Sequence, residues 1–231
     1  MFNHLSVGVT AGTPGWGIDV AMPVCEYVSL RAGFTSFPTI KVNTDLDLNY
    51  NGYNQIEGYN IPSSVEVEGK PGFTNGKLLA DVFPFKSSSF HVTVGAYFGS
   101  SSIVKAYNKE DGVLKGVADY NNSVSSQDQK IGVELGDYLL EPDENGNVNA
   151  AIKTASFKPY VGLGFGRAVP RNRVGFMFEM GVMFWGSPKV YCNDVELTSE
   201  KLGADGGDVL KYMSKVSIYP VLNFRLCGKI F

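Results

Sequence analysis

The sequence predicts an all-β protein: an eight-stranded antiparallel up-and-down transmembrane β-barrel with long loops at one end. Three observations lead to this prediction. Apolar residues recur with a period of two in eight segments, while helical periodicity is nearly absent. The connectors between these segments are short at one end and long at the other. Charged residues within the segments fall on the face opposite a continuous apolar row.

The composition agrees with this fold class. Hydrophobic residues make up 44% of the 231 positions, aromatic residues 13% and charged residues only 19%, and there are 27 glycines. The formal net charge of −3 offers no basic surface for nucleic acid. No apolar run is long enough to predict a transmembrane helix. Alternation begins directly after Met1, so we expect that a signal peptide has been removed and that residues 1–231 form a single barrel domain.

Most of the predicted strands have about the ten residues that a tilted strand needs to cross a bilayer. In chain order the predicted strands are 2–12, 16–24, 27–37, 76–85, 90–99, 157–167, 173–185 and 214–231. Short turns follow the second, fourth and sixth strands, whereas long excursions follow the third, fifth and seventh: 38–75, 101–156 and 186–213. Only the first connector, "TPG", is short where a long one is expected. Short turns at one end and long loops at the other are typical of outer-membrane barrels.

Parity assigns the two faces of every strand. The stretch "RVGFMFEMGVMFW" (173–185) shows this best, because Val174, Phe176 and Phe178 begin an unbroken apolar row while Glu179 lies on the opposite face. In six other predicted strands a polar residue likewise lies on the face opposite an apolar row. For the second, third, fourth, fifth, sixth and eighth strands these residues are Asp19, Arg31, Asp81, His91, Lys158 and Arg225. A soluble barrel has apolar residues inside, so this pattern predicts an apolar surface in lipid and a polar interior.

The interior of an eight-stranded barrel is just wide enough to be filled by side chains. Lone buried charges are costly, so the inward charges should pair with one another, and we expect Glu179 to meet Arg225 on the neighbouring strand. Inward glycines should make room for the long side chains. The predicted interior polar network comprises Asp19, Arg31, Asp81, His91, Lys158, Glu179 and Arg225. Two roles remain open for it, a structural plug and a gated ion path.

Aromatic residues cluster at the strand ends, as an interfacial belt requires. Trp16, Phe37, Phe98 and Trp185 belong to the long-loop end, and Tyr27, Phe85 and Phe90 to the short-turn end. Three cysteines without CxxC spacing argue against a zinc site or a disulfide framework. Cys25 and Cys227 fall at the same end, which leaves a disulfide between them conceivable.

The long loops are polar and are interpreted as solvated extensions of the neighbouring hairpins. Residues 131–140 are a further strand candidate, so a ten-stranded barrel is an alternative to the eight-stranded one. Residues 204–213 are expected to hold a short helix.

Several stretches resemble the small outer-membrane β-barrels of Gram-negative bacteria, in particular OmpA-like barrels of Bacteroides-type organisms. These are "KLLADVFPF…FHVTVGAYFG", "KPYVGLGFG", "GFMFEMGVMFWGSPKV" and "YPVLNFRLCGKIF", with a terminal "IF" similar to the aromatic end of such barrels. The resemblance implies an outer-membrane location, but no established activity. We further expect contact with outer-membrane lipid and a monomer.

No motif for catalysis, a cofactor or a metal is recognised. Only two histidines are present, "GLGFG" precedes no helix, and "DENGN" lacks the calcium-loop pattern. We therefore expect no enzyme, but a structural or surface-interaction protein that binds an unknown extracellular ligand through its loops. The alternatives are a channel or transporter for small hydrophobic molecules or ions and, below it, a soluble lipocalin-like ligand-binding barrel.

Overall fold

A computed structural model describes residues 4–49, 58–126, 129–135, 138–197 and 217–230. Within these residues eight strands form a closed antiparallel barrel in the order β1-β16-β13-β12-β7-β6-β3-β2, and β2 pairs with β1 to close it. The barrel strands are β1 (Ser6–Gly12), β2 (Gly15–Cys25), β3 (Val28–Ser36), β6 (Thr74–Val82), β7 (Phe90–Gly99), β12 (Phe157–Phe165), β13 (Val174–Phe184) and β16 (Ile218–Lys229).

These eight strands coincide with the eight predicted segments, so the predicted fold class is confirmed. The bounds agree within a few residues, and residues 2–3, 214–216 and 231 of the predicted strands lie outside the described residues. The connectors 26–27, 83–89 and 166–173 define the short-turn end of the barrel. At the opposite end β1 and β2 are joined tightly at Gly15, whose φ of 96° favours glycine. A Cβ there would lie 2.2 Å from the Ser36 carbonyl oxygen, so this turn closes directly over β3.

The long excursions do not remain loops. They form a second eight-stranded sheet, here called the outer sheet, in the order β10-β9-β4-β5-β8-β11-β14-β15. Its strands are β4 (Val42–Asn49), β5 (Ser64–Pro71), β8 (Ser102–Asn108), β9 (Gly132–Leu135), β10 (Tyr138–Leu140), β11 (Asn149–Lys153), β14 (Lys189–Cys192) and β15 (Val195–Glu196). The order β4-β5-β8-β11-β14 repeats the barrel order β3-β6-β7-β12-β13, so each central strand continues a barrel strand after a short break.

The outer sheet has its own hydrophobic core. Helix α1 (Lys115–Ser123) contributes Val117, and Leu114 lies just before it; both are fully buried against sheet residues such as Val65, Val67 and Val133. The interpretation of these loops as solvated extensions was therefore incomplete: they do extend the hairpins, but one face of the extension is dry. Alternation in β5 shows how, since Val65 and Val67 are buried while Glu66 between them is not.

Residues 131–140 belong to the outer sheet as β9 and β10, so the ten-stranded barrel was wrong. β9 pairs with β4 and β10 and has no barrel neighbour. The helix expected at 204–213 lies outside the described residues. Among the described helices, none is long and apolar enough to cross a membrane.

Candidate functional site

The barrel strands alternate between exposed apolar and buried polar side chains. β12 shows the pattern without interruption: Leu163 is 49% exposed, whereas Lys158, on the other face, is 1% exposed. The exposed row continues around the barrel with Val9, Ile18, Val20, Leu30, Phe34, Leu78, Val94, Val161, Phe176, Met180, Leu222, Phe224 and Leu226. An apolar girdle outside and charges inside are the arrangement expected of a barrel surrounded by lipid.

The structure places all seven residues of the predicted polar network in the barrel interior, each at most 1% exposed. The belt residues lie near the strand ends. Trp16, Tyr27, Phe85 and Phe98 are exposed, whereas Phe37, Phe90 and Trp185 are half-buried. Phe37 stacks on Phe73, and Trp185 packs against Tyr219, so these two belong partly to the rim of the barrel.

One ion-pair cluster is centred on Arg31 of β3. Its Nη2 lies 2.7 Å from Asp81 Oδ1 and also donates to Glu179 Oε2. Thr93 Oγ1 lies 2.8 Å from the same oxygen of Asp81 and 2.9 Å from Glu179 Oε2, so it links the two carboxylates. Tyr160 completes the shell of Glu179 by donating its hydroxyl to Oε1 at 2.8 Å. The cluster thus joins strands on opposite sides of the barrel.

A second cluster is centred on Asp19 of β2. Arg225 Nε donates to Asp19 Oδ1 at 2.6 Å, and Lys77 Nζ lies 2.7 Å from Oδ2. Arg225 also donates to the carbonyl oxygen of Ala168 at 2.7 Å. The Asp19 carboxylate therefore compensates two buried cations, Arg225 and Lys77. The Arg225 guanidinium is also held by a backbone oxygen.

The expected contact between Glu179 and Arg225 was wrong. Both side chains do point inward from neighbouring strands, but the register sets Glu179 opposite Asn223 and Arg225 opposite Met177. Glu179 reaches instead across the lumen to Arg31, and Arg225 passes over β1 to Asp19 of β2. Strand adjacency shows that both side chains point inward, but which charges pair depends on how the barrel closes.

Sequence reasoning missed Lys77, although its signal was present. Lys77 has the same parity as Asp81 on the same strand, and it is 1% exposed. At the long-loop end Lys158 donates to Asn75 Oδ1 at 3.0 Å and to the Ser100 carbonyl oxygen at 2.8 Å. Its amino group is therefore held by neutral oxygens in place of the carboxylate that we expected.

Apolar side chains also lie in the barrel interior. Tyr97 and Tyr160 pack edge to face in a layer with Leu79, Met183 and Val221. Towards the short-turn end, the connector 166–173 folds inward, and Ala168 is fully buried against Ala21 and Met177.

Inward glycines make room for the large groups, as expected. A Cβ on Gly164 would lie 2.3 Å from His91 Nε2, and one on Gly162 or Gly181 would lie 2.4 or 2.5 Å from the Tyr160 hydroxyl. The inner wall of the barrel is therefore shaped around these side chains.

Asp81, His91 and Glu179 bring three potential metal-ligand atoms within 4.8 Å of one another. Both carboxylates already face the Arg31 guanidinium, so a metal ion would compete with a resident cation. The chemistry of this set fits an ion-pair network better than a metal centre. All three cysteines are free thiols, so Cys25 and Cys227 are not bonded.

The face of the outer sheet away from its core carries polar and aromatic groups. Glu68 accepts from Tyr107 and pairs with Lys70 at 2.8 Å, and the Lys70 ammonium lies 4.3 Å above the Tyr107 ring. The hydrogen bond from Lys70 lowers the pKa of Glu68 below its usual value. A groove of about 250 Å³ runs between Tyr107 and Tyr191 on this face. Its further lining residues are Ser102, Lys105, Ala106, Asn149, Ala150, Ala151, Lys153 and Asp194.

No family model matches the chain, and no curated protein matches it. Among solved structures, CarO2 of Acinetobacter baumannii is similar at a TM-score of 0.51 and 18% identity, over 99% of both chains. CarO of the same organism is similar at a TM-score of 0.48 and 16% identity, over 96% of both chains. At this level of identity, the likeness to CarO2 shows a common fold over the whole chain and no more.

Proposed function

We propose that the protein is an outer-membrane β-barrel, closed by its own side chains, that acts at the cell surface through its outer sheet. The observation that carries the proposal is the inverted barrel: apolar residues outside and an ion-paired network inside. A soluble barrel would have to expose this apolar girdle to water. The fold shared with CarO2 supports a barrel architecture for the whole chain.

Closure of the barrel is supported by the packing of its interior. The two clusters around Arg31 and Asp19 span the lumen, and the Tyr97–Tyr160 layer lies with them on the same inward faces. The connector that buries Ala168 covers the short-turn end. A steady water-filled path would have to displace these paired groups, each of which is costly to leave unpaired.

A role at the surface is supported by the size and polarity of the outer sheet. Eight strands and a helix with a separate core are far more than is needed to connect barrel strands, since hairpin loops of two to five residues suffice. The groove between Tyr107 and Tyr191 offers aromatic faces beside the cations Lys105 and Lys153, a combination that suits recognition of a polar or anionic ligand. We expect the extracellular partner to bind here.

Conductance across a planar lipid bilayer tests the proposal. The wild-type protein should show folded, heat-modifiable bands on a gel and no steady current, while a general porin inserted in parallel should conduct. Steady single-channel steps from the wild-type protein would contradict closure.

The alternative function, a gated ion path, is favoured by the two clusters themselves, because their charges line the lumen. It makes a different prediction for Glu179→Gln: current or ion selectivity would change. The closed barrel predicts lower stability, because Arg31 loses a charged partner. It predicts no current, because the substitution keeps the volume of the side chain.

A further inference from the structure

The short-turn end of the barrel holds a cavity of about 310 Å³ that the interior network does not use. Chain segments from six places meet there: the residues before β1, the end of β2 with the turn after it, the start of β3, the residues after β6, the connector 166–173 and the end of β16. Its lining residues are His4, Pro23, Cys25, Glu26, Ser29, Phe83, Arg167, Val169, Pro170, Arg171 and Lys229.

Two guanidinium groups converge in this cavity. Arg167 Nη2 donates to the carbonyl oxygens of Lys86 at 2.7 Å and Ser88 at 3.0 Å, and Arg171 Nη2 donates to the same Lys86 oxygen at 2.9 Å. In the part of the chain that the structure describes, neither arginine forms an ion pair with a carboxylate. The shared Lys86 oxygen holds the two cations side by side, and burial and the neighbouring Arg171 lower the pKa of Arg167.

Arg167 is also incompletely satisfied. Its Nε is buried without a hydrogen-bond partner, and its guanidinium lies 5.0 Å from the Phe83 ring. The side chain is therefore fixed by two backbone oxygens and an aromatic face, while its buried Nε donor has no partner among the described residues. An unpaired buried donor is unfavourable, and an anion that accepted from it would relieve this cost.

The electrostatic surroundings favour an anion. At the short-turn end the described residues include five basic side chains, Lys86, Arg167, Arg171, Arg173 and Lys229, and the single acid Glu26. Glu26 is paired with Lys86, and this contact lowers its pKa. Its charge is thus compensated locally, and the arginines keep their positive field.

We propose that this cavity binds a phosphate-type oxyanion, held between the guanidinium groups of Arg167 and Arg171. Guanidinium forks match the oxygens of a phosphate and bind it bidentately. The same chemistry is presented by free phosphate and by the headgroup of a phospholipid in the adjoining leaflet. The lipid source rests on the proposed membrane location, whereas the free-anion source does not.

Isothermal titration of inorganic phosphate into the protein in octyl glucoside tests the site. The wild-type protein should bind one phosphate saturably, and Arg167→Gln and Arg171→Gln should each weaken binding at least tenfold. Arg171→Lys keeps the charge without the fork and should weaken binding as well. The matched control is Arg173→Gln, in the same connector but outside the cavity lining, which removes one charge of the surrounding field and should weaken binding far less than tenfold.

Native mass spectrometry with added phosphatidylglycerol distinguishes the two sources. Retention of one lipid by the wild type, lost in Arg167→Gln, identifies the headgroup; phosphate binding without lipid retention identifies the free anion. Absence of both, or equal phosphate binding by Arg173→Gln and Arg167→Gln at reduced affinity, overturns the proposal. Heat-modifiable gel bands recorded on every variant report separately on the barrel, so failure of the site and failure of the membrane assignment are told apart.

Discussion

The substitution Glu179→Gln tests the interior network at its centre. Glu179 is 1% exposed and accepts from Arg31, from Tyr160 at 2.8 Å and from Thr93 at 2.9 Å. The amide keeps one acceptor oxygen for Tyr160, but it places a donor or a neutral oxygen towards Arg31. One charge-assisted hydrogen bond is lost, while Arg31 retains Asp81 at 2.7 Å. We therefore expect a loss of about 2–4 kcal/mol, below the full cost of orphaning a buried charge.

Urea unfolding in lipid vesicles, followed by tryptophan fluorescence, measures this loss. The matched control is Glu66→Gln, because Glu66 pairs with Lys109 at 2.9 Å in a half-exposed position on the outer sheet. Exposed pairs of this kind contribute about 0–1 kcal/mol. Equal losses for the two variants, at unchanged slope against urea, would refute the idea that the interior pairs are dry and mutually dependent.

In an Arg31→Met background, Glu179→Gln should have the opposite effect on the free energy of unfolding. Without the guanidinium, the carboxylates of Asp81 and Glu179 are left close together, joined through Thr93 and lacking their cation. Removing one of the two charges then relieves repulsion, so Glu179→Gln should stabilise the Arg31→Met variant. Additive losses in the double variant would contradict this coupling.

Three further predictions concern the wall of the barrel and the outer sheet. Gly164→Ala should destabilise the barrel by about 1–3 kcal/mol in the same urea assay, because the new methyl group meets His91 at 2.3 Å; Gly228→Ala, whose nearest neighbour is at 3.8 Å, should be tolerated. Leu163→Arg should cost about 2–4 kcal/mol in vesicles because it puts a charge on the lipid face, whereas Val195→Arg on the outer sheet should cost little; similar costs would contradict the assigned girdle. Replacing each outer-sheet excursion with a tight turn should leave a heat-modifiable barrel on gels, because the two hydrophobic cores share no residue; loss of the folded band would show that the outer sheet is needed for folding.

Alternation predicted the barrel well because each barrel strand is half lipid-facing and half inward, so a period of two runs its whole length. The same reasoning could have predicted that Lys77 points inward, since it lies four residues before Asp81 on the same face of the strand. The outer sheet was not recognised because its strands are shorter and carry many charged residues on their polar face. The helix at 115–123 buries only Val117, Ala118 and the polar Asn121, so its apolar side is too narrow to give a helical signal.

The partners of the interior charges could not be predicted from strand adjacency. Parity sets the face of Glu179 but not which side chain it meets, because contacts across the lumen depend on register and closure of all eight strands. Arg31 lies on β3 and Glu179 on β13, which are not neighbours in the barrel order. Only the closed barrel brings them together. The cavity between Arg167 and Arg171 was hidden for the same reason, since its walls come from distant parts of the chain.

The central claim is that the apolar row faces lipid around a closed barrel. The most direct test is refolding of the urea-unfolded protein into lipid vesicles, followed by gel electrophoresis in SDS with and without boiling. The account predicts that the unboiled protein migrates differently from the boiled one and floats with the vesicles. A single band under both conditions, together with a monomer that stays soluble in detergent-free buffer, would contradict the account.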